Sequence, residues 1–426
     1  MVFNKNAYSK ICYLLPLSLL LSISISFSAC DDADKSDSDG YGSYTVGRTV
    51  LHLTDSDRIE TYGEGAGSPR ELMVYVWYPA QGDTSAKKGS WLEKLAIDFF
   101  INAFDGDKDA LNSLDTKSYP DAPILEQSEK FHVILMSHGD GMFPSGNYTA
   151  AEYLASYGYV VAGVSHTYNA SLTFFPDGKV VEADPKASVS YSDTEITEDT
   201  PYTYELWQKE LAQRLKINGE FADDLQFTLD ELERLSDSEF SGMLNTSEAG
   251  VFGHSLGGSG AIETLLRDSR VCAAADLDGS ISIADPSAGT DKPVLLMLNS
   301  LHAESMHADN AEFEQELTAL GWNSEQMKSI FDQNYAAALL SRSGEKVHVF
   351  SIKNTGHFNF TDMVAIDKVL PEALQDPELD KGSIDPDLST EIIREYLLNF
   401  YNIYLLGRED ELFDSSKYSD VVKETF

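Results

Sequence analysis

Cysteine is scarce in this sequence: of 426 residues only Cys12, Cys30 and Cys272 carry a thiol. The first two fall in the amino-terminal leader, so no disulfide framework can be drawn inside the folded part. Cys272 sits in the apolar run Val271 to Ala275, where a free thiol is expected to serve as a small core residue rather than a nucleophile. Basic residues are short as well. Lys and Arg number 31 against 70 Asp and Glu, a formal net charge of −39, which opposes binding to nucleic acid or anionic lipid and excludes a phosphate-tracking role. No internal repeat is present. With 42% hydrophobic residues the chain can bury a large core, as one elaborated domain or two.

The leader is distinctive. Lys5 and Lys10 precede an apolar run from Ile11 to Phe27 broken by Pro16, short for a membrane span and right for a secretory signal. It ends in Phe27-Ser28-Ala29-Cys30, which resembles a bacterial lipoprotein cleavage box with Cys30 as the lipidated first residue, although Phe stands where Leu is usual. Asp31, Asp32, Asp34, Asp37 and Asp39 follow among small polar residues and predict a disordered tether. That acidic stretch also resembles the surface-export signal of some Gram-negative lipoproteins. The expected division is a signal peptide over 1–29, a tether over 30–43 and a folded domain over 44–426 with insertions at about 171–245 and 301–340. Export and attachment to a membrane through Cys30 are the corresponding expectations.

Within the folded part, a strand is read over Glu71 to Pro79, and Trp91 to Phe104 has helical spacing with a wide apolar face that can pack on the core or touch lipid. From Phe131 onward strands and helices alternate. Strands are expected at Phe131 to Met136, Gly158 to Val164, Ala249 to Phe252, Val271 to Leu277, Pro293 to Leu298 and Val347 to Ile352. Helices are expected at Thr149 to Ser156, Glu205 to Leu235, Gly257 to Arg267 and Ser389 to Leu406, the last capped by Gly407. Such alternation predicts a mostly parallel sheet covered on both faces, with its sites at the carboxyl ends of the strands.

Gly253-His254-Ser255-Leu256-Gly257 matches a nucleophile elbow, a strand-to-helix turn whose serine takes strained backbone angles. Ser255 is thus the candidate nucleophile. A serine hydroxyl needs a histidine to take its proton and a carboxylate to hold that histidine in the right tautomer. Of nine histidines, His357 lies just beyond the last strand, where the order Ser, acid, His places the base, while His302 and His307 stay open. Asp278 ends the strand Val271 to Leu277 and is the first candidate acid; Glu304, after the next strand, is the second, and Asp276 shares the face of Asp278 but lies deeper. Two backbone N–H groups must meet the developing oxyanion. Leu256 supplies one by construction of the turn, and Asp140, in the glycine loop Ser137 to Gly141, is the choice for the other.

With these residues placed, the chain resembles the plasma-type platelet-activating-factor acetylhydrolases (lipoprotein-associated phospholipases A2) and their bacterial relatives, from about Tyr44 to Leu406. The resemblance rests on Val76-Trp77-Tyr78-Pro79, Ser137-His138-Gly139-x-Gly141, Ala155-Ser156-x-Gly158-Tyr159-Val160-Val161, Gly253-His254-Ser255-x-Gly257-Gly258, Leu277-Asp278 and His357-x-Asn359-Phe360. It implies an α/β-hydrolase fold, a Ser255, Asp278, His357 triad, oxyanion donors at Leu256 and Asp140, and hydrolysis of short or oxidised acyl chains from phospholipids with neither metal nor cofactor. Two departures stand out. Asp140 occupies a position often apolar in that family, and its carboxylate opposes an oxyanion unless it turns away; the stretch from Asp278 to His357 is also long. A cutinase or polyester-type hydrolase and an inactive surface-binding lipoprotein are the alternative readings.

Overall fold

The computed structural model describes residues 40–82, 88–89, 109, 114, 116–193, 200–283, 289–307, 311–334, 336, 340, 344–369, 380–409 and 411–425. The leader, Cys30, most of the acidic tether and the segment Trp91 to Phe104 lie outside them.

Twelve strands are present among the described residues: β1 (Thr45–Ile59), β2 (Pro69–Ala80), β3 (Ser118–Pro120), β4 (Phe131–Ser137), β5 (Val160–Ser165), β6 (Leu172–Phe174), β7 (Val180–Glu182), β8 (Leu244–His254), β9 (Val271–Leu277), β10 (Val294–Asn299), β11 (Val347–Ile352) and β12 (Val421–Lys423). Ten form one sheet in the order β12-β11-β10-β9-β8-β4-β5-β2-β1-β3, and β6 pairs with β7 in a small hairpin. From β5 through β4, β8, β9 and β10 to β11 every neighbour is parallel, whereas β2 joins β5 antiparallel. This is the mostly parallel sheet that the alternation of elements predicts, in the α/β-hydrolase arrangement that the family resemblance implies.

The composition of the central strands explains their place. All six residues of β5 (VVAGVS) and of β10 (VLLMLN) are buried, as befits strands covered on both faces. The covering helices are α1 (Tyr148–Ser156), α2 (Tyr204–Glu239), α3 (Leu256–Arg267) and, near the carboxyl end, α8 (Pro386–Tyr404). Phe221, Leu225, Leu229 and Leu232 of α2 are buried, so the expected stripe does face the sheet. Between β10 and β11 run α4 (Ser300–His307), α5 (Ala311–Ala319) and α6 (Ser324–Asn334); α7 (Met363–Val369) follows β11. Trp322, between α5 and α6, packs against Trp207 and Tyr204 of α2, which joins the two long excursions from the sheet.

Several details differ from the sequence reading, among them the short strands β3, β6 and β7, the helix α7 and the start of β8 at Leu244. The 15-residue strand β1 was not expected, because its apolar residues are diluted by polar ones on the side that faces solvent. The short β12, antiparallel to β11, was also missed. The last helix ends at Tyr404, two residues before its expected end, with Leu405 as its cap, and Gly407 takes a left-handed φ of 63° beyond it. No helix among the described residues is long and apolar enough to cross a membrane.

Candidate active site

The site sits at the carboxyl ends of β4, β8, β9 and β11. β8 runs to His254, α3 begins at Leu256, and Ser255 between them has φ 57° and ψ −123°. Such angles are unfavourable for a residue with a Cβ and persist only where the surroundings impose them. Two glycines permit the turn: a Cβ on Gly253 would lie 2.2 Å from Gly257 backbone atoms, and one on Gly257 would lie 2.4 Å from the Ser137 carbonyl oxygen. The second contact presses the elbow onto the end of β4. Ser255 N–H still donates to the Leu277 carbonyl at 3.0 Å, so β9 is anchored directly under the turn.

Asp278, the residue that follows the end of β9, is the other strained member, with φ 56°. Its carboxylate is buried and receives four hydrogen bonds. Oδ2 accepts from His357 Nδ1 at 2.7 Å and from the Asn299 side chain at 2.8 Å; Oδ1 accepts from Asn299 N–H at 2.8 Å and from His302 Nδ1 at 3.3 Å. Burial disfavours ionisation here, but the hydrogen bonds from His302 and His357 outweigh it and hold the carboxyl well below its ordinary range. Asp278 therefore stays anionic, and His357 carries its proton on Nδ1 with Nε2 left to act as a base.

The loop after β11 holds His357 by its backbone. His357 N–H donates to Asp380 Oδ2 at 3.2 Å, Phe358 N–H to the Asp380 carbonyl at 2.9 Å, and the His357 carbonyl accepts from His254 Nε2 at 3.1 Å. The rings of His254 and His357 are 4.5 Å apart, so the base stands over the residue that precedes the serine. Burial, with His357 beside it, pushes the His254 imidazole down to about 3, and it stays neutral. Among the described residues no hydrogen bond engages the Ser255 hydroxyl. In unliganded enzymes the nucleophile-to-base bond is often long and tightens when substrate arrives.

The loop after β4 completes the site. A Cβ on Gly139 would lie 3.1 Å from Ser255 Cβ, which puts this loop against the nucleophile. The Asp140 carboxylate accepts from Asn169 Nδ2 and from the Ser188 hydroxyl, both at 2.6 Å, so its charge is drawn to one side by donors. Leu256 opens α3, where a first-turn N–H has no intrahelical acceptor.

The other sequence candidates fall elsewhere. Glu304 is exposed on α4, and His302 meets the acid rather than the serine. Asp276 is fully buried below the turn, with Oδ1 accepting from Gly279 N–H at 2.8 Å and Oδ2 unpartnered; burial pushes its carboxyl up to about 8. Cys272 is half-buried at the far end of β9 from Asp278, and burial raises its thiol. Sequence reasoning missed Asn299 and Asp380. Asn299 carries a usable signal, a polar residue at the carboxyl end of an otherwise apolar strand; Asp380 carries none, since it reaches the loop from over twenty residues downstream.

Comparisons with known proteins bear on the family and the fold. A family model described as platelet-activating factor acetylhydrolase, isoform II, matches residues 34–420. A platelet-activating factor acetylhydrolase of Cavia porcellus is 26% identical over 293 residues, 66% of this chain and 59% of that protein, so the match spans about three-fifths of the relative's length. A protein of Arthroderma benhamiae named probable 1-alkyl-2-acetylglycerophosphocholine esterase is 22% identical over 419 residues, 89% of this chain and 92% of its own. Among solved structures, the ferulic acid esterase of Streptomyces cinnamoneus superposes with a TM-score of 0.68 at 25% identity, covering 89% of this chain and 96% of that one.

Proposed function

We propose that this chain, which belongs to the platelet-activating factor acetylhydrolase, isoform II, family, is a serine carboxylic-ester hydrolase working through an acyl-Ser255 intermediate. His357 Nε2 takes the Ser255 proton as the hydroxyl attacks the ester carbonyl, and the C–O bond to the leaving alcohol breaks as His357 returns that proton to the alcohol. Water then attacks the acyl-enzyme by the same route, releasing the carboxylic acid and restoring the serine. Asp278 holds the His357 tautomer and offsets the imidazolium charge. The N–H groups of Leu256 and Asp140 meet the oxyanion in both halves. The observation that carries this reading is the 2.7 Å bond from His357 Nδ1 to an anionic Asp278 beside a serine held at φ 57°.

Short or modified acyl esters, platelet-activating-factor-like phospholipids among them, are the substrate class. The relatives' names, an acetylhydrolase and an acetylglycerophosphocholine esterase, support it. Export with Cys30 lipidated, and thereby attachment to a bacterial membrane with the acidic stretch directing the protein outward, is part of the same reading and rests on the leader alone. The test is an acyl-length series on p-nitrophenyl esters and on phospholipids with the purified chain and its Ser255→Ala variant. Turnover falling with chain length and absent from the variant is the expected result. Unchanged turnover in the variant rejects Ser255, and a preference for long acyl chains rejects the substrate class.

A further inference from the structure

We propose that His138, fixed as the neutral tautomer protonated on Nδ1, is the positioning residue of the oxyanion hole: it sets the direction of the Asp140 N–H. The inference rests on the reading of Ser255 as nucleophile and Asp140 as oxyanion donor.

Two contacts decide the tautomer. The His166 backbone N–H can only donate, and it reaches His138 Nε2 at 3.1 Å, so Nε2 is bare. The Gly139 carbonyl can only accept, and it lies 2.7 Å from His138 Nδ1, so Nδ1 carries the proton. The ring is 2% exposed, and burial, with His166 alongside, pushes it down to about 3. The ring therefore stays neutral, and Nε2 remains free to accept from the His166 N–H.

The consequence follows from the geometry of the peptide unit. In a planar trans peptide the carbonyl of one residue and the N–H of the next point in opposite directions. Holding the Gly139 carbonyl toward His138 turns the Asp140 N–H the opposite way, off the other edge of the peptide unit. Met142 N–H, at 3.0 Å, is the second donor to that carbonyl and closes the turn. Were the peptide to flip, the carbonyl oxygen would replace the N–H on the nucleophile's side, a repulsive group where the negative charge develops.

What holds His138 is itself locked. His166 N–H belongs to a residue whose ring is stacked 3.6 Å from Phe221 and bonded through Nε2 to Ser137 Oγ at 2.9 Å and through Nδ1 to Asp224 Oδ2 at 3.0 Å. Asp224 in turn accepts from Arg70 Nε and Nη2, at 2.7 and 2.6 Å, and pairs with Arg58 at 2.8 Å. His138 and His166 are 4.9 Å apart, edge to face, and Phe221 closes the other side. The imidazole has no room to turn.

The test compares His138→Asn with His138→Gln in the full chain. The Asn amide nitrogen overlies imidazole Nδ1 and can still hold the Gly139 carbonyl; Gln reaches toward His166 N–H and leaves that carbonyl without its side-chain donor. His138→Gln is expected to lower kcat by about 10²-fold with KM within about twofold, approaching the cost of losing an oxyanion donor. His138→Asn should stay within about fivefold of the parent. Wild-type kcat in His138→Gln, or equal losses in both variants in step with their thermal stability, overturns the proposal. Should neither variant fold, a long-range proton-nitrogen spectrum of the unmodified protein still decides it: an Nδ1–H imidazole at residue 138 between pH 6 and 8 is required, and an Nε2–H ring or an imidazolium overturns it. Ser255→Ala separates the premises. If that variant remains active, the nucleophile reading falls and takes this inference with it; if it is dead while His138→Gln runs at full rate, only this inference falls.

Discussion

The described residues contain two serine-histidine-aspartate trios in which the histidine meets its aspartate through Nδ1, and only one is arranged for chemistry. In the first, His357 Nδ1 meets Asp278 at 2.7 Å beside Ser255. In the second, His166 meets Ser137 through Nε2 at 2.9 Å and Asp224 through Nδ1 at 3.0 Å. Ser137 lies in the regular ladder of β4 with no exposure, whereas Ser255 is raised on a strained turn. His357 keeps about a third of its side chain exposed, while His166 keeps none. Asp278 gives its charge to two imidazoles and an amide, but Asp224 gives most of its charge to Arg70 and Arg58. Reactivity thus depends less on the trio of side chains than on backbone strain, access and what else claims the carboxylate.

That contrast can be broken at several points. The largest effect is expected from Ser255→Ala, a loss of about 10⁵-fold or more in kcat; a fluorophosphonate probe should label Ser255 alone, and labelling of Ser137 by mass spectrometry would erase the distinction. Asp278→Asn should cost about 10⁴-fold in kcat by freeing the wrong His357 tautomer, with KM nearly unchanged. Asp224→Asn acts on stability instead. It leaves Arg70 and Arg58 facing a neutral amide in the interior, and urea unfolding should show a loss of about 3–5 kcal/mol. Ser137→Ala strips His166 Nε2 of its donor and should cost about 1–3 kcal/mol while labelling at Ser255 persists.

The smallest effect is a slope. Burial raises the Asp276 carboxyl to about 8. Between its unfolded value near 4 and that folded value the native state holds a proton that the unfolded chain releases. Stability from this group therefore falls as pH rises through that window. Asp276→Asn removes the titration, so the variant's melting temperature should decline less than the parent's between pH 5 and 8. Parallel declines would show that the group does not titrate in that range.

Much of this was legible in the sequence because strands covered on both faces are written as short apolar runs, and glycines fix where the elbow turns. Val271 to Leu277 and Val347 to Ile352 were read to the residue. The buried trio was harder to see. Asp224 lies on the stripe of Phe221, Leu225 and Thr228, where an acidic residue at helical spacing among core positions is a sign that a cation must come to it; neither Arg58 nor Arg70 is near it in sequence. His302 was weighed as a base, but sequence spacing gives no direction to a ring, and its partner proved to be the acid.

The carboxylate at position 140 has a consequence for protein engineering. Its ties to Asn169 and Ser188 continue through Gln213 of α2, whose amide reaches the Ser188 carbonyl at 2.8 Å. Residues 140, 169, 188 and 213 therefore form one hydrogen-bonded unit spread over four separate stretches of chain. A chimera that imports the region around 171–245 from a relative with an apolar residue at 140 would leave the acid tied to Asn169 but without its Ser188 donor. Such grafts should be exchanged as a foursome or not at all.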